Sequence, residues 1–174
     1  KLYQGAKVRK RSPENVVEEI ELLVKEHNVK NLVFLDDCFL VGTSNEMVYV
    51  NTLHTLIKQK GIKIRFVIST RADVIERSRE VLVKLKDIGL SQVYIGCESF
   101  VQRQLDYYNK KVTVAQNLNA IKILSDLDIA YDIGLIYFEP YTTISEIIEN
   151  MKILYKLSEN KKCFAINVLI NNII

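Results

Sequence analysis

The stretch Val93-Tyr-Ile-Gly-Cys-Glu-Ser99 decides the fold of this 174-residue chain. It has the β-branched and aromatic residues of a strand, and it ends in an acid and a hydroxyl just before a helical pattern begins. Four more apolar runs end in polar residues, and three of them are followed by an amphipathic helix. Active sites of parallel α/β folds gather at the carboxyl ends of the strands, so this stretch predicts a carboxylate delivered to a site.

Strands and helices alternate along the chain on either side of this stretch. Strands are predicted over residues 31–36, 63–69, 92–97, 131–138 and 164–170. Helices are predicted from Pro13 behind a Ser12 cap, and over residues 45–60, 74–88, 101–108, 113–128 and 144–158. Such alternation predicts a parallel sheet with right-handed crossovers, either a barrel or an open doubly wound sheet of the flavodoxin type. The chain opens with a helix that no strand precedes, which indicates a segment cut from a longer protein.

Composition places the chain among globular proteins. At 48% hydrophobic and 26% charged residues it can bury a sizeable core, and residues 1–174 are predicted to form one domain. Its apolar runs are far shorter than the roughly 20 residues that span a bilayer, and no secretory signal is evident. The three cysteines show no paired spacing, which favours a reducing compartment, and we expect a cytoplasmic protein.

Positive charge gives little support to a nucleic-acid site. The net charge is +3, and the basic cluster near the amino terminus has no interleaved aromatic residues and no zinc-finger spacing after it. The cluster comprises Lys7, Arg9, Lys10 and Arg11. It is predicted to flank a helix start, with phosphate binding as the less favoured alternative.

Several polar side chains at strand ends are candidates for chemistry. Alternation along the strand places Glu98 on one face with Gly96, which leaves room for a ligand, although Glu98 could instead cap the next helix or pair with a lysine. Arg71 could reach a carboxylate or phosphate, or pair with Asp36 or Asp73. Asp36 and Asp37 point to opposite faces if their strand persists that far.

The cysteines do not predict a metal site within the chain. Cys38 and Cys97 fall at strand ends, but Cys163 starts a strand and would lie at the opposite rim of a parallel barrel. The three therefore cannot share one cluster, and each is interpreted as a small buried residue.

Six motifs in order along the chain resemble the radical S-adenosylmethionine (radical SAM) superfamily, especially members with an amino-terminal cobalamin-binding domain. Each motif is weak alone, and the six in register are fairly specific. They are Arg9-Lys-Arg-Ser-Pro-Glu-Asn-Val-Val-Glu-Glu-Ile20, Phe34-Leu-Asp-Asp-Cys-Phe39, Thr70-Arg-Ala-Asp73, Ile95-Gly-Cys-Glu-Ser99, Tyr108-Asn-Lys110 and Phe138-Glu-Pro-Tyr-Thr-Thr143.

The resemblance implies a partial TIM-type (βα)6 barrel that lacks its first strand, with a parallel sheet and outer helices. It implies S-adenosylmethionine (SAM) and a [4Fe–4S] cluster as cofactors, cobalamin in an upstream domain, and a reductant such as flavodoxin or ferredoxin. The cluster loop CxxxCxxC of the family is absent from this sequence and is expected just upstream of Lys1. As given, the chain is expected to lack the cluster and to be inactive alone.

The resemblance also assigns cofactor-binding residues. Glu98 matches the acid that contacts the ribose or methionine end of the cofactor, with Ser99 beside it. Asp37 matches a polar position near the methionyl amine, and Lys110 is expected to approach the carboxylate. Arg71, predicted from its place on the strand and not from the resemblance, completes the set of cofactor-binding residues. Departures from the family lie at Phe100 and Lys111, where relatives commonly carry glycine, and at Cys97, where an aliphatic residue is usual.

Two functions remain open if the chain is a barrel, and a signalling or binding module is the third if it is a flavodoxin-like open sheet. The first is a radical SAM enzyme that reductively cleaves SAM to a 5′-deoxyadenosyl radical for modification of a substrate. The second is a degenerate barrel without catalysis that binds a nucleoside or a protein partner, which the missing cysteine loop also allows.

Overall fold

The computed structural model describes residues 10–170, and the side chains of residues 10–163. Five parallel strands form one sheet, in which each strand is hydrogen-bonded to the next one along the chain. They are β1 (Asn31–Val33), β2 (Arg65–Arg71), β3 (Leu90–Glu98), β4 (Ala130–Phe138) and β5 (Cys163–Ile170). This order has no reversal, so it excludes the flavodoxin-type alternative and confirms the partial barrel.

Seven helices connect the strands within the described residues. They are α1 (Pro13–His27), α2 (Glu46–Gln59), α3 (Ala72–Arg77), α4 (Arg79–Asp87), α5 (Gln102–Tyr107), α6 (Val114–Asp126) and α7 (Ile144–Ser158). Local sequence sets where three of them begin: the Ser12 hydroxyl accepts from Asn15 N before α1, and Thr113 and Thr143 form capping boxes before α6 and α7.

The two faces of the sheet have different environments. Val93, Ile95 and Cys97 of β3 are fully buried within the hydrophobic core between sheet and helices. Tyr94, Gly96 and Glu98 lie on the opposite face and are partly exposed. The alternation predicted for this strand is therefore confirmed, and the open face is the one that carries the predicted site.

The predicted helix over 74–88 is wrong as a single element, because the structure divides it into α3 and α4 at Ser78. The Ser78 side chain is buried, and its hydroxyl donates to Glu46 Oε2 at 3.4 Å. The other oxygen of Glu46 accepts from the backbone N–H groups of Val41 and Gly42. A buried carboxylate that needs several donors thus takes one from the chain between the two helices.

The first strand is shorter than predicted. β1 ends at Val33, and residues 35–38 bulge away before the backbone of Leu40 pairs again with Thr70 of β2. Asp36 and Asp37 consequently lie outside the strand, with exposed side chains, and the predicted strand over 31–36 is wrong at its end. The alternating faces expected for the two acids do not apply to this irregular segment.

The basic cluster near the amino terminus is only partly within the described residues. Lys7 and Arg9 of the basic cluster lie outside the described residues, whereas Lys10 donates to the Phe39 carbonyl and Arg11 pairs with Glu19. No helix in residues 10–170 combines the length and apolar character needed to cross a membrane. That residues 1–174 form one domain stays a prediction.

Candidate functional site

An ion pair lies at the carboxyl end of β3. Glu98 Oε1 is 2.7 Å from Lys110 Nζ, and the two side chains are only 15% and 23% exposed. The register with β4 shifts at Gly96 and Glu98, and Glu98 has the left-handed φ of +62°. This bulge turns the carboxylate back over the strand, a use of irregular backbone common near functional sites.

Two glycines side by side make room for the polar groups on the open face. Gly96 of β3 pairs with Gly134 of β4. A Cβ at Gly96 would lie 2.9 Å from Glu98 Oε1, and a Cβ at Gly134 would lie 2.1 Å from the Tyr94 hydroxyl oxygen. Burial, and then the charge of Glu98, raises the pKa of Tyr94, so its hydroxyl stays protonated as a donor at neutral pH.

Arg71 fixes the turn that carries Lys110. Its Nη2 donates to the Lys110 carbonyl at 2.9 Å, and its Nε donates to Asp73 Oδ1 at 2.8 Å. Pairing with Asp73, one of the alternatives from the sequence, is thus the observed one. Arg71 positions Lys110 through the backbone, while its direct contact with a cofactor stays a prediction.

Ser99 lies inside a buried polar network behind the site. Its hydroxyl, fully buried, contacts the side-chain oxygens of Gln104 and Asn150, and it accepts from the backbone N–H of Val101. Asn117 donates to the carbonyls of Cys97 and Ser99, on either side of Glu98. The network holds the left-handed turn at Glu98, and the predicted cofactor contact of Ser99 stays a prediction.

Asp37 is the predicted site residue for which the structure shows no contact with this arrangement. It lies in the turn after β1 and is exposed. The structure brings Glu98, Lys110 and Arg71 together at one end of the sheet, with Ser99 behind them. It does not bring Asp37 into contact with these residues, and its role near a methionyl amine stays a prediction.

The sequence reasoning missed several residues that build the site. Asn117 and Asn150 occupy buried positions on α6 and α7. A polar residue on the apolar face of a predicted helix is the sequence feature that could have indicated them. Tyr108 and Glu139 also have buried polar atoms at this edge. Both belong to quoted motifs, but their burial depends on contacts distant in sequence.

The cysteines of this chain do not fit a [4Fe–4S] cluster. Cys97 is fully buried, and burial strongly raises the pKa of its thiol, which opposes the thiolate form that binds iron. Within the described residues no group of three or more metal-binding side chains converges.

Fold and site together define a class of protein: a parallel barrel segment with a largely buried acid–lysine pair at the carboxyl end of β3. The chain belongs to the radical SAM superfamily, because residues 3–163 match that family. The resemblance drawn from the six motifs is thereby confirmed.

Relatives of known name extend well beyond the length of this chain. It is 35% identical over 123 residues to the anaerobic magnesium-protoporphyrin IX monomethyl ester cyclase of Cereibacter sphaeroides, covering 70% of this chain and 19% of the cyclase. It is 28% identical over 165 residues to an uncharacterized methyltransferase of Pyrococcus horikoshii, covering 95% of this chain and 35% of that protein. The chain thus spans about a fifth to a third of these relatives.

Solved structures support the same fold. The cobalamin-dependent S-adenosylmethionine radical enzyme OxsB matches with a TM-score of 0.74 at 24% identity, over 84% of this chain and 22% of OxsB. The radical SAM methyltransferase TsrM of Kitasatospora setae matches with a TM-score of 0.69 at 12% identity, over 91% of this chain and 29% of TsrM. At these identities the likeness establishes the partial barrel alone.

Proposed function

We propose that this chain forms the SAM-binding part of a radical SAM enzyme, with Glu98 and Lys110 at the methionyl end of the cofactor. One observation carries the proposal: a largely buried acid–lysine pair lies at the carboxyl end of β3 in a chain of this family. Active sites of parallel α/β barrels lie at this end of the strands.

The pair matches the chemistry of an amino acid. A methionyl group carries an ammonium and a carboxylate, and Glu98 and Lys110 offer one partner for each. In the free protein the two side chains satisfy each other, so neither is left as an unpaired buried charge. On binding, each exchanges its partner for the opposite charge of the ligand, while Arg71 keeps the Lys110 turn in place.

The remaining cofactors belong to the same proposal. In it, cleavage of SAM at a [4Fe–4S] cluster supplies a 5′-deoxyadenosyl radical that abstracts hydrogen from a substrate. The cysteines of this chain do not fit the cluster, so the proposal takes its ligands from other residues of the protein. A cobalamin-binding domain, a reductant of the flavodoxin or ferredoxin type and a cytoplasmic location complete it.

Binding of S-adenosylhomocysteine, a stable analogue of SAM, tests the role of the pair in the intact natural protein. We expect Glu98→Gln and Lys110→Met each to weaken its binding about 10- to 100-fold in calorimetry, the value of one charge-assisted hydrogen bond. Glu18→Gln, at an exposed position of α1, is the matched control and should leave the affinity unchanged.

5′-Deoxyadenosine separates the two possible contacts of Glu98, because it has the ribose but lacks the methionyl group. Unchanged binding of this probe by Glu98→Gln assigns Glu98 to the ammonium, and weaker binding assigns it to the ribose hydroxyls. If both ligands bind the variant as they bind the wild type, Glu98 is not in the site.

Radical chemistry needs its own measurement. After anaerobic reconstitution with iron and sulfide, the intact protein should show a cluster absorbance. Once SAM and dithionite are added, it should form 5′-deoxyadenosine. If neither appears although S-adenosylhomocysteine binds, the second function, a barrel that binds a nucleoside without catalysis, replaces the enzyme.

A further inference from the structure

Besides Asn117 Oδ1 in the network behind Glu98, two polar atoms at the carboxyl edge of the sheet lack a hydrogen-bond partner among the described residues. They are the hydroxyl oxygen of Tyr108, at the end of α5, and Oε1 of Glu139, directly after β4. The Glu139 side chain is 98% buried, since only 2% of it is exposed. Buried polar atoms are nearly always hydrogen-bonded in folded proteins, so each unpartnered one calls for an explanation.

Hydrogen bonds tie the loop around Glu139 to neighbouring elements. Glu139 Oε2 accepts from the Tyr141 N–H at 3.0 Å. Arg103 binds both oxygens of Glu146 and donates to the Tyr141 carbonyl at 2.9 Å, which ties the loop after β4 to α5. Among the described residues, Glu139 Oε1 is the buried side-chain atom of this loop that has no hydrogen-bond partner.

The charges around Glu139 Oε1 limit which kind of ligand group can bind there. Arg103 Nη2 lies 3.9 Å from Glu139 Oε1, which is too long for a hydrogen bond but close enough to neutralise much of its charge. A cationic ligand would therefore meet the guanidinium, and an anionic ligand would meet Glu139 and Glu146. A neutral group that donates a hydrogen bond fits this position.

Tyr108 supplies the complementary donor. Burial, and then the charge of Glu139, raises the pKa of Tyr108 to about 12, and Glu98 also contributes. The hydroxyl thus stays protonated at neutral pH. Tyr108 caps the carboxyl end of α5, two residues before Lys110, and Arg103 of the same helix lies 3.9 Å from Glu139 Oε1. Tyr108 and Glu139 consequently offer one donor and one acceptor beside the Glu98–Lys110 pair.

We infer that Tyr108 and Glu139 form a subsite that binds one neutral hydroxyl or carboxamide group of the substrate. The group accepts from the Tyr108 hydroxyl and donates to Glu139 Oε1, which satisfies both buried atoms. This inference rests on the proposed function, because it takes the neighbouring pair as the place of the cofactor. It names the polar chemistry that the substrate presents to this chain.

Thermal unfolding of the intact, ligand-free protein tests whether the two atoms are truly unpartnered. Tyr108→Phe removes a hydroxyl that bonds to nothing, so its melting temperature should equal or exceed that of the wild type. A fall of more than about 4 °C would mean that the hydroxyl makes a stabilising bond, and it would overturn the subsite. Tyr107→Phe, at the exposed neighbouring tyrosine, is the control.

Ligand-observed NMR with defined probes tests the recognition itself. The neutral probes are glycerol, myo-inositol and nicotinamide, and acetate and methylammonium are their charged counterparts. We expect at least one neutral probe to bind, and Tyr108→Phe and Glu139→Gln to weaken it about 5-fold or more. Absence of neutral binding, equal binding of charged probes, or variants that bind like the wild type would overturn the inference.

S-Adenosylhomocysteine distinguishes the substrate from the cofactor as the source of the bound group. Unchanged affinity in Tyr108→Phe and Glu139→Gln supports the substrate. An equal loss in both variants would assign the subsite to a ribose hydroxyl and overturn the substrate assignment. If the wild type does not bind this analogue, the proposed function fails, while the neutral probes still decide whether the subsite exists.

Discussion

Gly96 determines where the Glu98 carboxylate lies. The carboxylate folds back onto the space above Gly96, and an added Cβ would lie 2.9 Å from Oε1 and 3.9 Å from Lys110 Nζ. Gly96→Ala should therefore displace the end of a flexible side chain while leaving the strand intact. We expect S-adenosylhomocysteine to bind about 10-fold more weakly, with little change in melting temperature. Calorimetry and thermal unfolding of the same preparations measure both effects.

Gly134→Ala is the comparison for Gly96→Ala. Its Cβ would lie 2.1 Å from the Tyr94 hydroxyl oxygen, so a whole aromatic side chain has to move. Overpacking of this kind costs about 1–3 kcal/mol. If Gly96→Ala is destabilised as strongly as Gly134→Ala, the space above Gly96 serves packing and not the placement of Glu98.

Lys111 lies in the turn after Tyr108 with a left-handed φ of +55°. The resemblance to the family predicts glycine here, and this conformation suits glycine because a side chain disfavours it. Lys111→Gly should raise the free energy of unfolding by about 0.5–1 kcal/mol, measured by urea denaturation. Lys152→Gly, on the exposed face of α7, should lower it by about 1 kcal/mol. A loss in both variants would contradict the assigned strain.

At the scale of residues, the sequence predicts the strand end well and its partners poorly. The acid at Glu98 and the cation at Lys110 follow from strand–turn–helix order, which is local. The hydrogen bond from Arg71 to the Lys110 carbonyl spans 39 positions, and the one from the Phe100 N–H to Asn150 Oδ1 spans 50. Contacts at such separations depend on how the helices pack, which no local pattern encodes.

Helix α7 is held at its start by Glu146. The carboxylate closes a capping box with Thr143 and accepts two hydrogen bonds from Arg103. Arg103, and then the Thr143 backbone N–H, lowers the pKa of Glu146 from 4.5 to about 2. Because the folded pKa is the lower one, the stabilisation is complete above about pH 4.5 and is lost as the pH falls towards 2.

Glu146→Gln should therefore lower the free energy of unfolding by about 1 kcal/mol at pH 7. The difference from the wild type should shrink between about pH 4.5 and pH 2, as the wild type becomes protonated. Urea denaturation at several pH values measures this difference. Glu149→Gln, exposed on the same helix, should show no such dependence. A gap that stays constant down to pH 2 would show that Glu146 acts by shape and not by charge.

At the scale of elements, periodicity and caps predicted most helices and strands. They failed at two places, the break between α3 and α4 and the end of β1. Contacts between residues distant in sequence determine the structure at both. Glu46 accepts from Ser78 and from the backbone of the β1–α2 loop, and these bonds interrupt one helix and shape that loop. A buried carboxylate on the first turn of α2 looks, in sequence, like any acid that favours a helix start.

For the molecule as a whole, alternating strands and helices allow either a barrel or an open doubly wound sheet. The order of the strands in the sheet distinguishes the two. β3 lies at the centre of the sheet, paired along most of its length with β2 and β4. β1 pairs with β2 over three residues and has no strand on its other side in the described residues. Val33 is 63% exposed there and Leu35 is 90% exposed. Stability is thus expected to fall from the centre of the sheet to this edge.

Hydrogen–deuterium exchange can resolve that gradient. The amides of Val93 and Ile95 are buried between two paired strands, so they should exchange only through global unfolding. The amide of Phe34, which donates to the Val67 carbonyl beyond the last β1 pair, should exchange through local opening, orders of magnitude faster. Mass spectrometry of peptides covering β1 and β3 measures both. Equal protection of the two would mean that another part of the intact protein covers the β1 edge, which would make this edge an internal interface.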